Sequence, residues 1–317
     1  MNSLGKRSKT MKKQLTLTID NQSCLSNPFV FARTVFGSLD IAGTSQVEYT
    51  ARIKLFFEFV RKEGINRNSF LEFKRYLASR NDYSVSTKNK YLITAKVFLR
   101  ELNRLGLLPV DITINVKSFM EARKHKRLGL TESEIRLISD YVHNLSFSKE
   151  STRLRAIICL LVYQGLRQIE ITRLDIKHVD LVQKIAYVRG KGRDDTEAID
   201  LHPSTIEALH AFLRTNKIAD GPLFTSRSNN NRNGRLTTKS IRVMVTAVLR
   251  DIGIQKSTHS FRHFFTTKLL ETYKSDLLCV ARFTRHKSLQ MLQVYDDALK
   301  QRADLPRYYR SFQDIKI

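Results

Sequence analysis

The chain of 317 residues has no tryptophan, five prolines, three cysteines and 30 acidic residues. Each scarcity excludes something. Cys24, Cys159 and Cys279 are odd in number, far apart and form no Cys-x-x-Cys pair. Neither a disulfide scaffold nor a zinc ribbon is expected, and the thiols should stay reduced in a cytosolic compartment. No His-Glu-x-x-His run occurs. The longest clean apolar run, Ala156 to Tyr163, has eight residues. A bilayer needs about 20, so this run reads as a buried helix. The basic N-terminus carries no apolar run of signal-peptide length. With no tryptophan and no basic amphipathic helix anchored by aromatics at an end, a membrane-surface role is not expected either.

Base is what the chain has in excess. Fifty-five Lys and Arg face 30 Asp and Glu, a net charge of +25. That excess implies a polyanionic partner, nucleic acid first, bound in a strongly salt-dependent way.

The length allows two domains. Residues 1–27 read as a basic tail: Lys6, Arg7, Lys9, Lys12 and Lys13 all precede the first acid, Asp20. Such an end serves equally as a solubilising segment or as an arm on DNA. Residues 28–108 read as a helical domain. Gln46 to Lys62 sets Tyr49, Ile53, Phe56, Phe57 and Val60 near helical spacing, Ser69 to Leu77 is a second helix, and Ser86 to Leu105 is a third, stopped by Gly106. Lys88, Lys90, Lys96 and Arg100 decorate the third and are expected to face DNA, against the plainer reading of a solvated basic face. Residues 109–128 read as a linker, closing on Arg123-Lys124-His125-Lys126-Arg127, four more cations expected to cross phosphates. Residues 129–317 read as a mixed domain. Thr131 and Glu134 have capping-box spacing. Helices are expected over Arg153 to Gly165, Pro203 to Arg214, Thr237 to Ile252, Thr258 to Tyr273 and Asp276 to Thr284, and strands over Ile185 to Arg189 and Glu197 to Leu201. The expected fold class is mainly α with a small β-sheet.

Four segments carry the chemistry: Gly165-Leu166-Arg167, Gly190-Lys191-Gly192, His259-Ser260-Phe261-Arg262-His263 and Thr284-Arg285-His286, with Tyr295 nine residues past His286. They supply two guanidinium groups (Arg167 and Arg262), an ammonium, two imidazoles (His259 and His286) and a phenol. A phosphodiester cut without a metal needs such a set: donors for the non-bridging oxygens, an acid for the leaving oxygen and an attacking oxygen. Each element has a plainer reading. Arg167 and Glu170, three apart, could be a surface ion pair. Lys191 could be one more basic hairpin tip. His259 and His263 have a zinc-compatible spacing but no evident third ligand. Tyr295 could be a core tyrosine. Nine steps of about 100° put His286 and Tyr295 on opposite faces of one helix, so convergence requires a break. Ser288 could supply it as a cap, leaving Tyr295 on a short separate helix.

In this order the residues resemble the tyrosine recombinase/integrase family, in its phage-integrase-like, two-domain Xer-like form. The family's Arg after a Gly-x step, hairpin Lys, His-x-x-Arg helix, later His and Tyr nine residues on fall at Arg167, Lys191, His259, Arg262, His286 and Tyr295, with Glu170 at the auxiliary acid. Two positions depart. Thr284-Arg285 stands where Leu-Gly is usual, and Asp297 where a His often follows the tyrosine. The resemblance covers about 129–300 by motif and the helical domain, as a core-binding domain, by layout.

The resemblance implies a clamp around double-stranded DNA at a specific recombination site. Tyr295 would attack phosphorus to give a 3′-phosphotyrosyl bond and a free 5′-hydroxyl. Arg167, Arg262, His259 and His286 would hold the non-bridging oxygens, and Lys191 would protonate the leaving oxygen. No metal or other cofactor is implied. The outcome would be integration, excision or resolution of a DNA element, by a dimer on one site and a tetramer in the synapse, with accessory DNA-bending factors as possible partners. The segment Leu305-Pro306-Arg307-Tyr308-Tyr309 would dock on a neighbouring protomer, and the protein would be cytoplasmic, on the nucleoid. A type IB topoisomerase and a non-catalytic DNA-binding architectural protein are the alternatives.

Overall fold

The computed structural model describes residues 28–61, 64–121, 129–190, 192, 195–227, 233–286 and 288–314. The chain forms two compact units, the first ending at Ala122 and the second beginning at Arg123.

The first unit is helical: α1 (Pro28–Gly37), α2 (Gly43–Arg52), α3 (Lys54–Val60), α4 (Ser69–Ser79) and α5 (Val85–Arg104). The helix expected from Gln46 to Lys62 is divided at Ile53. Ser84 starts α5 by accepting the Thr87 N–H on its side-chain oxygen, as N-cap serines do. Phenylalanine fills the core. Phe36, Phe56, Phe70, Phe73 and Phe98 are fully buried, and Phe56 meets Phe73 edge-on at 5.0 Å between centroids, a favoured aromatic geometry.

The linker reading over 109–128 requires correction. Leu108, Ile112 and Thr113 are buried, and Val116 and Phe119 pack on the helical core. Asn89 pins this stretch from α5: its Nδ2 donates to the Phe119 carbonyl at 3.0 Å, and the Phe119 N–H donates to its Oδ1 at 2.9 Å. Residues 109–121 therefore belong to the helical unit. They have no period of 2 or 3.6 to betray them, because side-chain hydrogen bonds hold them instead of a ladder.

The second unit is built on α7 (Lys149–Tyr163), whose Ala156, Ile157, Leu160 and Leu161 are buried at the centre of the larger core. Around it lie α6 (Glu132–His143), α8 (Gln168–Thr172), α9 (Pro203–Asn216), α10 (Thr238–Asp251), α11 (His259–Thr272), α12 (Leu277–Thr284) and α13 (Leu289–Arg310). Thr131 and Glu134 form the capping box reciprocally. A three-stranded antiparallel sheet, β1 (Val179–Asp180), β2 (Ile185–Arg189) and β3 (Thr196–Asp200), runs in the order β1-β2-β3, with Tyr187 opposite Ala198. The third strand starts one residue earlier than its apolar pattern suggested. Tyr295 does lie on a helix separate from His286, but α13 is 22 residues long instead of short, and Ser288 makes no side-chain cap.

Gly165 ends the middle of this unit. It has a φ of 55°, and a Cβ there would run into the Phe265 ring of α11. It is therefore required twice, for its backbone conformation and for the approach of α11 to α7. Gly165→Ala should lower unfolding stability by about 2 kcal/mol or more, since both the left-handed conformation and overpacking carry costs of that order. Urea denaturation of the two proteins measures the difference, and an unchanged midpoint would refute it.

Candidate active site

Helix ends, more than helix bodies, carry the candidate residues. Arg167 is the N-cap residue of α8. Its backbone N–H and one guanidinium nitrogen both donate to Glu170, at 2.8 and 2.7 Å. The Glu170 side chain is 1% exposed and that of Arg167 32%, so this is a buried carboxylate holding a guanidinium that still reaches solvent. Burial raises the Glu170 carboxyl, but Arg285, the Arg167 N–H and Arg167 outweigh it and hold the group below its ordinary value.

Arg262, one turn after His259 on α11, is 3% exposed. It donates to the Gly165 carbonyl at 2.7 Å and to the Thr284 carbonyl. Burial, then the neighbouring Arg167 charge, pull its guanidinium down to about 9, which leaves it cationic at neutral pH. His259 opens α11 and sits exposed at its first turn, edge-on to His263 with centroids 4.8 Å apart. The His263 ring lies 5.0 Å from that of Tyr295, and the His286 ring 6.2 Å from it. His263, a zinc candidate on spacing alone, is thus packed against the phenol. Among the described residues, no group of three or more His, Cys, Asp or Glu gathers to hold a metal ion.

His286 is oriented by the residue two before it. The Thr284 hydroxyl donates to the Val280 carbonyl at 2.8 Å, so at 2.7 Å from His286 Nδ1 it is the acceptor. Nδ1 therefore carries the hydrogen, and Nε2 is bare when the ring is neutral and a donor when it is charged. Tyr295 is 7% exposed. Burial pushes its phenol up to about 12, while Arg262 and Arg167 favour the phenolate. The next residue, Asp296, is buried and bonded to Ser275 and Lys300, which fixes the turn of α13 that presents the phenol.

Five of the six candidates, with Glu170, thus gather around one locus. Lys191 lies outside the described residues. Its neighbour Gly190 directly follows β2, and the Gly190 carbonyl accepts a hydrogen bond from Arg173 at 2.9 Å. Arg173 follows α8, so one short helix holds Arg167 at its start and, through Arg173, the root of the Lys191 hairpin at its end. Sequence reasoning missed Arg173, Thr284 and Arg285. Thr284 and Arg285 left a trace only as the pair that stands before His286 in place of Leu-Gly, and Arg173 left none.

The proposed DNA contacts divide. Arg123, Lys124, Lys126 and Arg127 lie outside the described residues. On α5, Lys90 is exposed. Lys88 reaches back to the Ala78 carbonyl at 3.0 Å, and Arg100 donates to Thr113 and pairs with Asp111. Steps of 100° spread these cations around much of the helix instead of along one stripe.

The chain belongs to the phage integrase family, whose model matches residues 129–302, and with it to the tyrosine recombinases. It is 26% identical over 264 residues to tyrosine recombinase XerC of Pseudomonas entomophila (strain L48), covering 80% of this chain and 85% of that protein. In fold it is similar to XerH site-specific recombinase bound to palindromic difH substrate in a post-cleavage complex, with TM-score 0.67 and 20% identity over 83% of this chain and 79% of that one. It is also similar to a lambda integrase tetramer bound to a Holliday junction, with TM-score 0.61 and 14% identity over 84% and 76%. Among the described residues, no helix is long and apolar enough to cross a membrane.

The burial of Tyr295 predicts its titration. As the pH rises past the ordinary tyrosine value of about 10, Tyr295 should keep its proton and ionise only near about 12. The ultraviolet difference titration of wild type against Tyr295→Phe reads this directly. A difference signal complete by about pH 11 would contradict the burial argument.

Proposed function

We propose that this protein is a site-specific DNA recombinase that cuts and rejoins strands through a 3′-phosphotyrosyl intermediate, with Tyr295 as nucleophile. The observation that carries this reading is that Tyr295 sits beside two arginines, Arg167 and Arg262, and two histidines, His263 and His286, brought from the start of α8, the first turns of α11 and the end of α12. A phenol in an apolar core has no use for that company. Its oxygen adds to phosphorus as the bond to the 5′-oxygen breaks. The proton that the phenol gives up to the medium is matched by one the leaving oxygen gains from Lys191. Arg167, Arg262, His259 and His286 hold the non-bridging oxygens, and Glu170 holds Arg167. The phosphotyrosyl bond keeps the phosphoryl energy, so religation by the 5′-hydroxyl needs no ATP.

The domain roles follow the same reading. Residues 28–121 act as the core-binding domain and residues 129–317 as the catalytic domain, joined by the basic segment Arg123, Lys124, Lys126 and Arg127. The protein works in the cytoplasm on double-stranded DNA, as a dimer on one site and a tetramer in the synapse. Dimeric and tetrameric DNA complexes of lambda integrase support this assembly.

Tyr295→Phe should bind duplex DNA like wild type and form no covalent adduct on a nicked suicide substrate. A protease-sensitive DNA–protein species from that variant would overturn the assignment. General acid catalysis contributes roughly 10²–10⁴ in rate, so Lys191→Ala should be slower by that order on normal DNA. It should recover nearly wild-type cleavage on a 5′-bridging phosphorothiolate, whose sulfur leaves without a proton. Arg167→Ala should show no such recovery, and equal rescue of both variants would reject this division of labour.

A further inference from the structure

Arg285 is buried where a buried cation needs a reason. Its side chain is 5% exposed. Its backbone is left-handed, with φ 55° and ψ 41°, as the residue that closes α12. A residue with a Cβ adopts that conformation at a cost, and glycine does so freely. Two bonds give the reason. The Arg285 guanidinium donates to Glu170 Oε2 at 3.1 Å, the oxygen that also takes the Arg167 N–H at 2.8 Å. The turn also directs the carbonyl of Thr284, the preceding residue, at Arg262. One left-handed turn therefore touches the support of both arginines.

Charge shows what is at stake. Arg167, Arg262 and Glu170 together carry a single positive charge, and Arg285 raises it to two. A phenolate adding to a phosphodiester monoanion carries two negative charges. In a buried site the uncompensated Glu170 carboxylate would oppose that build-up from close range.

We propose that Arg285 is a positioning residue of the strand-cleavage site: it shares the buried Glu170 carboxylate with Arg167, which fixes Arg167 and cancels the carboxylate's charge against the transition state. This rests on the recombinase reading above.

Arg285→Gly removes the guanidinium and suits the left-handed turn, so the fold should be kept. Arg285→Asn, which also tolerates that conformation, repeats the test with a side chain present. Single-turnover cleavage of a suicide substrate at saturating protein should fall roughly tenfold or more in both, below the 10²–10³ of losing a direct donor because the action is indirect. DNA affinity should change less than about threefold, since cleavage and binding losses separate transition-state from uniform effects. The melting temperature should fall in both, since a partner of a buried carboxylate is lost, so cleavage is compared well below the unfolding transition of every protein.

The coupling to Glu170 decides between charge and shape. In a Glu170→Gln background there is no carboxylate to cancel, and Arg285→Gly should cost markedly less. A wild-type cleavage rate in Arg285→Gly, or the same fold-loss in both backgrounds, would overturn the proposal. Wild type and Tyr295→Phe run alongside. If wild type forms no adduct, or Tyr295→Phe forms one, the recombinase reading fails. If those two behave as expected and Arg285→Gly cleaves normally, only the role of Arg285 fails.

Discussion

The Arg262 guanidinium is the tie on which the second unit's active end depends. It is almost without solvent, and its nitrogens reach two carbonyls from chain segments far apart, at Gly165 and at Thr284. Both carbonyls stand where a helix has just ended, so neither has an intrahelical partner. A buried cation and two orphaned acceptors satisfy one another. Removing any one would leave an unpaired buried polar group, which costs more than the bond itself contributes. The same tie sets Arg167, two residues past Gly165, and His286, two past Thr284, within one turn of chain from Arg262.

Around that tie the unit uses short structures as brackets. The five residues of α8 are too few for a stable isolated helix. They hold Arg167 at one end, Glu170 inside, and at the other end Arg173, which grips the root of the hairpin. Glu170, α12 and α13 then complete a cluster in which the buried charged groups Glu170, Arg262, Arg285 and Asp296 lie beside the apolar Leu270, Val280 and Leu292. Such a cluster persists only because the large core around α7 supplies the stability.

Much of this was legible in the sequence, for identifiable reasons. Local side-chain chemistry writes helix starts plainly: Thr131, Thr237 and Asp276 each accept the expected N–H. The candidates Arg167, His259, Arg262, His286 and Tyr295, singled out by kind and by the resemblance of their order to a known family, lie near one another in the structure. What stayed hidden depends on tertiary placement. Nothing in the composition of 109–121 says that Asn89 will pin it to α5. Nor does the sequence show that the Ala78 carbonyl stands beside Lys88 and Asp111 beside Arg100. Arg285 registers in the sequence only as a misfit beside His286, because its meaning lies in a carboxylate 115 residues away.

The helix that carries Tyr295 also has a mechanical consequence. Its inner turns are held by Leu292, Tyr295 and Asp296, while every described residue from Gln301 to Asp314 is exposed, Leu305, Tyr308, Tyr309 and Phe312 among them. No proline interrupts it before Pro306, so the ten residues after Tyr295 form a rod about 15 Å long at 1.5 Å per residue. A rod anchored at one end is a lever. Moving its free end by about 2 Å tilts it by roughly 8°, and a tyrosine oxygen standing some 6 Å off the axis then shifts by just under about 1 Å, on the scale at which misplacement costs about a hundredfold in rate. The Tyr295 phenol is therefore coupled to the far end of its own helix, and a displacement of that exposed end moves the phenol oxygen without any change in the residues around it.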